Sequence, residues 1–422
     1  MKARGNLSLA KNWAWSIADE GLVLASAVFS VFLLIPRLGP ANYGAWAALF
    51  ALLGPCAALA TIGIRLTILE GIVRDRQSVS AVAGSCITLA LLLSGLMAPI
   101  VTIGGSVWIE GVSLEVLALF VASELVASAL LYSLLAIVQG AHSYSRAIQL
   151  RMVVTSGRIM VLLLLVALQS VSIENLILAH SAMLFMVTPL VYLVASRLGL
   201  GPILPGRIRP GHFGTTVTYG LGIGSSIVQN DGDKVVLNAF GHQADSGLYA
   251  AGYRLVYMLM MPLSAFLVSS HFAVLEAART SSNQLRRAAV FSGVTMAYAI
   301  PAVGGLVLFA PLVPRILGSE FEESSVIMQL VAPIAVIRYV GGFACNGLLG
   351  LNRNALRMWL LVAGAALSMV LYVLLIPAYS WRGALVGSLA SEMALAAGCW
   401  IGLYWCQKRA GSHPPGASSR EE

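Results

Sequence analysis

The sequence predicts an all-α polytopic membrane protein of about twelve transmembrane helices in two six-helix bundles. Three observations carry that expectation. The chain is 58% hydrophobic and only 10% charged, with a mean hydropathy of +0.85; soluble domains carry roughly 25% charged residues. About twelve apolar runs of span length follow one another. The Lys and Arg residues segregate to alternate connections between those runs.

A span needs about 20 mostly apolar residues. Such runs cover roughly 13–36, 43–66, 79–103, 113–139, 148–170, 174–196, 214–239, 247–270, 288–312, 324–350, 354–377 and 383–406. Asp19 and Glu20 interrupt the first. Ala25-Ser26-Ala27 has the small residues of a signal-peptidase site, but the two acids break the apolar stretch before it. The run also continues to Pro36, so an uncleaved first span is expected.

Of the 26 Lys and Arg residues, 18 fall in one set of alternating connections and at both termini. Only Arg37, Arg315 and Arg382 fall on the opposite side, and five lie within spans. That asymmetry places both termini in the cytoplasm, and the net charge of +8 becomes a topological signal that implies no nucleic-acid partner. The longest connection on the basic side, Ser196–Phe213, is rich in Gly, Pro and Arg and falls after the sixth run. It reads as a linker, 197–213, between bundles at 1–196 and 214–410; residues 411–422 read as a disordered tail.

The outward connections are about a dozen residues or fewer, too short for a soluble catalytic domain, so no enzymatic activity is expected. Cys56, Cys86, Cys345, Cys399 and Cys406 all sit in apolar runs, with neither a C-x-x-C nor a nearby His pair. They read as small buried apolar residues, and no metal site is expected.

Two outer turns repeat one another. Leu38-Gly39-Pro40-Ala41-Asn42-Tyr43-Gly44-Ala45-Trp46-Ala47-Ala48 aligns, with one insertion, on Phe240-Gly241-His242-Gln243-Ala244-Asp245-Ser246-Gly247-Leu248-Tyr249-Ala250-Ala251. Each follows the first span of its half, the pattern of a duplicated six-helix unit. The opening RLGPANYGAWAA, the stretch QNDGDKVVLNAFGHQADSGLYAAGYRL and the turn RILGSEF at Arg315–Phe321 resemble the polysaccharide transporter family, the oligosaccharide flippases. That family belongs with the multidrug-and-toxin-extrusion (MATE) transporters and the lipid II flippase in one superfamily.

The resemblance implies a MATE-like, V-shaped pair of bundles around a central cavity, rocking between inward- and outward-open states. It implies a polyprenyl-pyrophosphate-linked oligosaccharide as cargo, moved across a bacterial inner membrane for O-antigen, capsule or exopolysaccharide synthesis. Membrane lipid, a polysaccharide polymerase and chain-length proteins are the partners it suggests. No cofactor is expected beyond a coupling ion, H+ or Na+. The alternative on the same fold is a cation-coupled multidrug or metabolite exporter.

Ionisable groups inside spans are costly and commonly face a cavity or a partner. Arg338 lies near the middle of the tenth run and Arg158 near the middle of the fifth, and a lone arginine at that depth has a structural explanation only if Glu124 or Glu392 reaches it. Arg338 and Arg158, with Arg254, Lys234 and Arg65, are the candidate phosphate-binding residues, because guanidinium groups grip phosphate with paired hydrogen bonds. Snorkelling to the interface is an equal reading for Arg65. Asp233 and Arg254 each lie eight residues from the second outer turn, about 12 Å deep at 1.5 Å per residue, so a pair is plausible. Asp231 and Lys234 are spaced to pair along one helix.

The resemblance to MATE transporters implies a coupling carboxylate, for which Asp19, Glu124, Asp233 and Glu392 are the candidates. For Asp19 and Glu20 the plainer reading is an interfacial helix start paired with Lys11 or Arg65. His180 reads as a packing residue. Gly220-x-x-x-Gly224 and Gly383-x-x-x-Gly387 permit close helix contact.

Overall fold

A computed structural model of the chain describes residues 2–109, 111–141, 144–200, 203–278 and 283–411. The tail expected from 411 lies outside them beyond its first residue. Regular structure among the described residues is helical throughout. In order, the α-helices are α1 (Lys2–Phe29), α2 (Ile35–Ala57), α3 (Ile64–Leu69), α4 (Val79–Trp108), α5 (Leu114–Ala122), α6 (Ser128–Ala141), α7 (Tyr144–Ala167) and α8 (Ile173–Ala195). They continue with α9 (Pro210–Ala239), α10 (Gln243–Ala278), α11 (Gln284–Phe309), α12 (Val313–Leu317), α13 (Glu322–Gly350) and α14 (Asn354–Gly411). Wider π-helical turns join α1 to α2, α2 to α3 and α5 to α6.

Nine stretches among the described residues are long and apolar enough to cross a membrane. Two are of double length: Ala14–Arg74 has 61 residues and Asn354–Arg409 has 56. Each breaks near its middle, the first at Gly39 (φ 71°, ψ 170°) and the second at Ser380 (φ 48°, ψ −132°). Pro40 follows the first break and has no N–H to continue the helical ladder. Each therefore counts as two crossings. Helix α9 completes the twelve the sequence predicts; its 30 residues are long enough, but Asp231, Asp233 and Lys234 dilute its apolar character.

The lipid-facing surface is apolar. On α4 the side chains of Leu92, Leu96, Ile100, Ile103 and Val107 recur every three or four residues and are 52–71% exposed. The opposite face, with Val82, Cys86, Leu89, Ala90 and Leu93, is buried in the core it shares with α3, α6, α7 and α8.

The chain divides into two compact units, Met1–Gly247 and Leu248–Glu422. In the first, α1 packs on α7, α3 on α6, and α4 on α5 and α6. The seventh crossing, α9, which the sequence groups with the second bundle, packs along α2 and so lies in the first unit. Glycines make that contact close. A Cβ on Gly63 would stand 2.6 Å from the Thr216 carbonyl oxygen, and one on Gly224 3.3 Å from that of Pro55. At the far end the two repeated turns meet: a Cβ on Gly44 would overlap the Gln243 carbonyl, and one on Gly247 that of Pro40. In the second unit α13 packs on both α11 and α14 around Phe343, Leu348, Cys399 and Leu403.

The linker is strapped to the start of α4. Gly206 N–H donates to Gly84 O (3.0 Å) and to Thr88 Oγ1 (2.9 Å), and Arg209 N–H donates to Ser85 Oγ (3.1 Å). His212 contacts Ser85 Oγ through Nδ1 (3.0 Å) and Gln77 Oε1 through Nε2 (3.2 Å). Since the amide oxygen only accepts, Nε2 carries the proton and Nδ1 accepts from the serine hydroxyl. Burial and the neighbouring Arg209 guanidinium hold His212 below the ordinary histidine range, against a smaller pull from Asp75.

A depressed imidazole pKa supports the docked state above the unfolded value, about 6.5, and that support is lost as pH falls through the docked value. Hydrogen-exchange protection of the Gly206 amide is expected to drop in acid relative to pH 7.5, and His212→Gln to flatten the dependence. Equal protection at both pH values in the native chain would exclude His212 as the cause.

Candidate binding site

One polar cluster of the first unit sits at the end that carries Arg74, Arg76 and Arg146, the Lys/Arg-rich side. A narrow cleft there is lined by Arg65 from α3, Tyr132, Leu135 and Gln139 from α6, and Tyr144, Ala147, Ile148 and Arg151 from α7. The spacing explains the convergence. Tyr132 and Gln139 are two turns apart on α6, and Tyr144 and Arg151 two turns apart on α7, so each helix presents two polar groups on one face. Arg151 pairs with Asp19 of α1, which is completely buried. Its Nε is buried without a hydrogen-bond partner, as is Asp19 Oδ1.

Arg65 lines this cleft, and Asp19 pairs with Arg151; the Lys11 side chain lies outside the described residues. The sequence reading missed Arg151, Tyr132 and Tyr144. Arg151 lies two turns into α7, which begins at Tyr144. The available signal was Asp19: a carboxylate inside a span needs a cation at matching depth.

The other candidates are distributed elsewhere. Arg158 of α7 is half-buried, its Nε has no hydrogen-bond partner, and Glu124 and Tyr132 are among the groups that act on its charge. Glu124 bonds His180 Nε2, so that histidine is a partner of a buried acid and not simply a packing residue. Lys234 is held within its own helix: Nζ donates to Asp231 Oδ1 (2.8 Å), Asp233 Oδ1 (3.2 Å) and Asn230 O (3.1 Å). The pairing of Asp231 with Lys234 is as the spacing predicts. Asp233 Oδ2 is buried without a partner. Arg254 belongs to the second unit and Asp233 to the first; the Arg254 Nε is buried without a hydrogen-bond partner.

Arg338 is not isolated. Its Nε donates to Glu392 Oε1 (2.7 Å), its Nη1 donates to the Tyr253 hydroxyl, and its guanidinium lies 5.6 Å from the Tyr253 ring centre. Tyr253 stacks on Tyr249, and Tyr372 and Ser388 share a hydrogen bond of 2.9 Å alongside. Breaking a buried pair by removing one partner costs about 3–5 kcal/mol, because the other charge is stranded. Arg338→Ala is therefore expected to lower thermal stability in detergent sharply. Arg338→Met combined with Glu392→Leu is expected to recover most of it. Export by that double variant at the native rate would assign Arg338 a structural role; its loss despite recovered stability would return Arg338 to the cargo path.

Residues 35–326 match the family described as polysaccharide biosynthesis protein. The chain belongs to that family. Among solved structures, a multidrug resistance MATE family transporter of the MOP superfamily in its inward-facing conformation superposes with a TM-score of 0.74 at 14% identity. The alignment covers 92% of this chain and 95% of that one. The lipid II flippase MurJ, inward closed, superposes at 0.62 with 12% identity over 94% and 88% of the two chains. A MOP superfamily transporter from Pyrococcus furiosus gives 0.56 at 13% identity over 96% and 93%. These likenesses show the fold. No curated relative matches the sequence. This member of the polysaccharide biosynthesis family is thus an all-α, multi-pass membrane protein with a MATE-like fold, as the sequence predicts.

Proposed function

We propose that the protein is a flippase. It would carry a polyprenyl-pyrophosphate-linked oligosaccharide from the cytoplasmic to the outer leaflet of a bacterial inner membrane, for cell-surface polysaccharide synthesis. The observation that carries this reading is the cleft, where two guanidinium groups, Arg65 and Arg151, stand with two phenols, Tyr132 and Tyr144. A pyrophosphate offers charged acceptor oxygens to such a donor set, and hydrogen bonds from charged donors are the strong ones. The cleft lies at the basic side, which the excess of Lys and Arg assigns to the cytoplasm, where lipid-linked glycans are assembled. The family match supports a polysaccharide pathway, and the fold shared with MurJ supports a lipid-linked cargo.

Export of organic cations on this fold would be served by open carboxylates. Asp19, Glu124, Asp231, Asp233 and Glu392 instead face Arg151, His180, Lys234, Lys234 and Arg338. The deciding experiment reconstitutes the full chain in liposomes and follows a polyprenyl-pyrophosphate oligosaccharide to the opposite leaflet by lectin capture. Transfer of the intact lipid-linked glycan supports the flippase. Efflux of a cationic dye with no glycan transfer would replace it by the exporter.

A further inference from the structure

Where the linker is strapped to α4 it encloses a second cavity, of about 530 Å³. Ser80, Ala81 and Gly84 of α4 form one wall, and residues 206–210 of the linker form the other. Cavities that hold small ligands run to about 300–1,000 Å³, so a phosphate-bearing headgroup fits. Close backbone contact fixes the walls. A Cβ on Gly84 would stand 3.2 Å from the Leu204 carbonyl oxygen, and one on Gly206 3.2 Å from Gly84 Cα.

The charge inside is of one sign. Arg207 and Arg209 line the cavity, and among the described residues no carboxylate does. Arg209 is held in place: its N–H bonds Ser85 Oγ, and its Nη1 donates to Gln77 Oε1 (2.8 Å). A guanidinium carries five N–H donors, so others stay available to a ligand. Arg207 is exposed and enters no ion pair among the described residues. The first turn of α4 adds amide donors, since its N-cap residue Ser78 makes no side-chain capping bond. Guanidinium groups and helix starts both suit phosphate oxygens.

The surroundings favour a lipid over a soluble anion. The face of α4 that walls the cavity continues to Leu91 and Gly95, two and three turns beyond Gly84. Leu91 and its neighbour Leu92 are 37% and 52% exposed, and nothing stands within 4 Å of a Cβ on Gly95. Leu204 and Phe213, on either side of the linker wall, are also exposed. Acyl chains can lie along this apolar surface while a headgroup enters the cavity. We propose that the cavity binds the headgroup phosphate of an anionic phospholipid from the leaflet on the Lys/Arg-rich side, bridging the linker to α4. The lipid then holds the linker docked. Basic pockets at the cytoplasmic surface of helical membrane proteins take anionic headgroups by the same attraction.

The test reconstitutes the full chain in nanodiscs of phosphatidylcholine with or without phosphatidylglycerol. Native mass spectrometry counts the phosphatidylglycerol retained on the released protein, and hydrogen exchange reads the Gly206 amide. Phosphatidylglycerol is expected to raise the protection of that amide in the native chain. Arg207→Gln is expected to weaken retention about fivefold, the share of one arginine at an anionic surface, and to cancel the added protection. Ser80→Trp fills the cavity from α4, keeps both arginines and is expected to do the same. Arg207→Gln, at an exposed position, carries the test if Ser80→Trp does not elute as a folded species. Arg353→Gln, which removes a charge of the basic side outside the cavity, is expected to match the native chain. Equal retention by the native chain and Arg207→Gln would overturn the proposal. An equal loss in Arg353→Gln would replace it by general surface charge. Inorganic phosphate that protects Gly206 in phosphatidylcholine nanodiscs as well as phosphatidylglycerol does would replace the lipid by a free anion.

Discussion

Arg65→Ala combined with Arg151→Ala is expected to abolish export of the lipid-linked glycan while the protein still inserts. Each residue presents a guanidinium to the cleft. A hydrogen bond to a charged group contributes about 1.5–3 kcal/mol, so each substitution alone is expected to weaken pyrophosphate binding roughly 10- to 100-fold. The two single variants are not equivalent. Arg65→Ala removes a cleft donor without breaking an ion pair among the described residues, so its effect should read directly as lost binding. Arg151→Ala also strands Asp19, which is completely buried and pairs with Arg151. It is expected to lower stability as well.

Arg151→Lys separates the two effects. It keeps a positive charge beside Asp19 but loses the planar, two-pronged donor geometry that suits phosphate. Near-native thermal stability with weakened binding is the expected result. Calorimetry with inorganic pyrophosphate and export by complementation of a flippase-deficient strain both read it. Native export by the Arg65→Ala, Arg151→Ala double variant would remove the cleft from the transport path.

Gly44→Leu and Gly247→Leu are expected to be the most damaging single substitutions in the first unit. The two glycines face each other's chain where the repeated outer turns meet. The opposing atoms are the backbone carbonyl oxygens of Gln243 and Pro40. A flexible side chain could move aside; a carbonyl within a helix cannot without breaking its own hydrogen bond. Asn238 adds a side-chain bond to the Gly44 carbonyl (3.3 Å) and another to Ser246 Oγ (2.8 Å), so separating the turns also strips a buried amide of partners.

Overpacking of this kind costs typically about 1–3 kcal/mol, and more where the backbone must shift. Gly104→Leu and Gly304→Leu are the controls, because nothing stands near a Cβ at either position. Melting of the four variants in detergent, followed by size-exclusion chromatography, checks the contrast. A Gly247→Leu protein that melts with the native chain would show that the contact carries no weight.

The sequence by itself determined the class, the crossings and the side of the membrane that is basic. Those properties follow from summed local quantities: the length of apolar runs, the breaks at Gly39 and Ser380, and the distribution of Lys and Arg. It also determined the Asp231–Lys234 pair, because both residues lie on one helix and their spacing alone sets the distance. The repeated turns were legible too, and their glycines mark where helices approach.

What only the tertiary structure decided is which intramembrane charges meet. Whether Glu124 or Glu392 reaches Arg338 could not be read from the chain, because its partners Glu392 and Tyr253 lie 54 and 85 residues away. Asp19 met Arg151 across 132 residues, and His180 met Glu124 across 56. Periodicity along one helix places a residue on a face and at a depth. It cannot say which face of another helix stands opposite, because that depends on how the whole set of helices packs. The same limit separates α9 from its assigned bundle: its sequence opens the second half, but the glycines of α2 and α9 let the two backbones approach, and packing places α9 in the first unit.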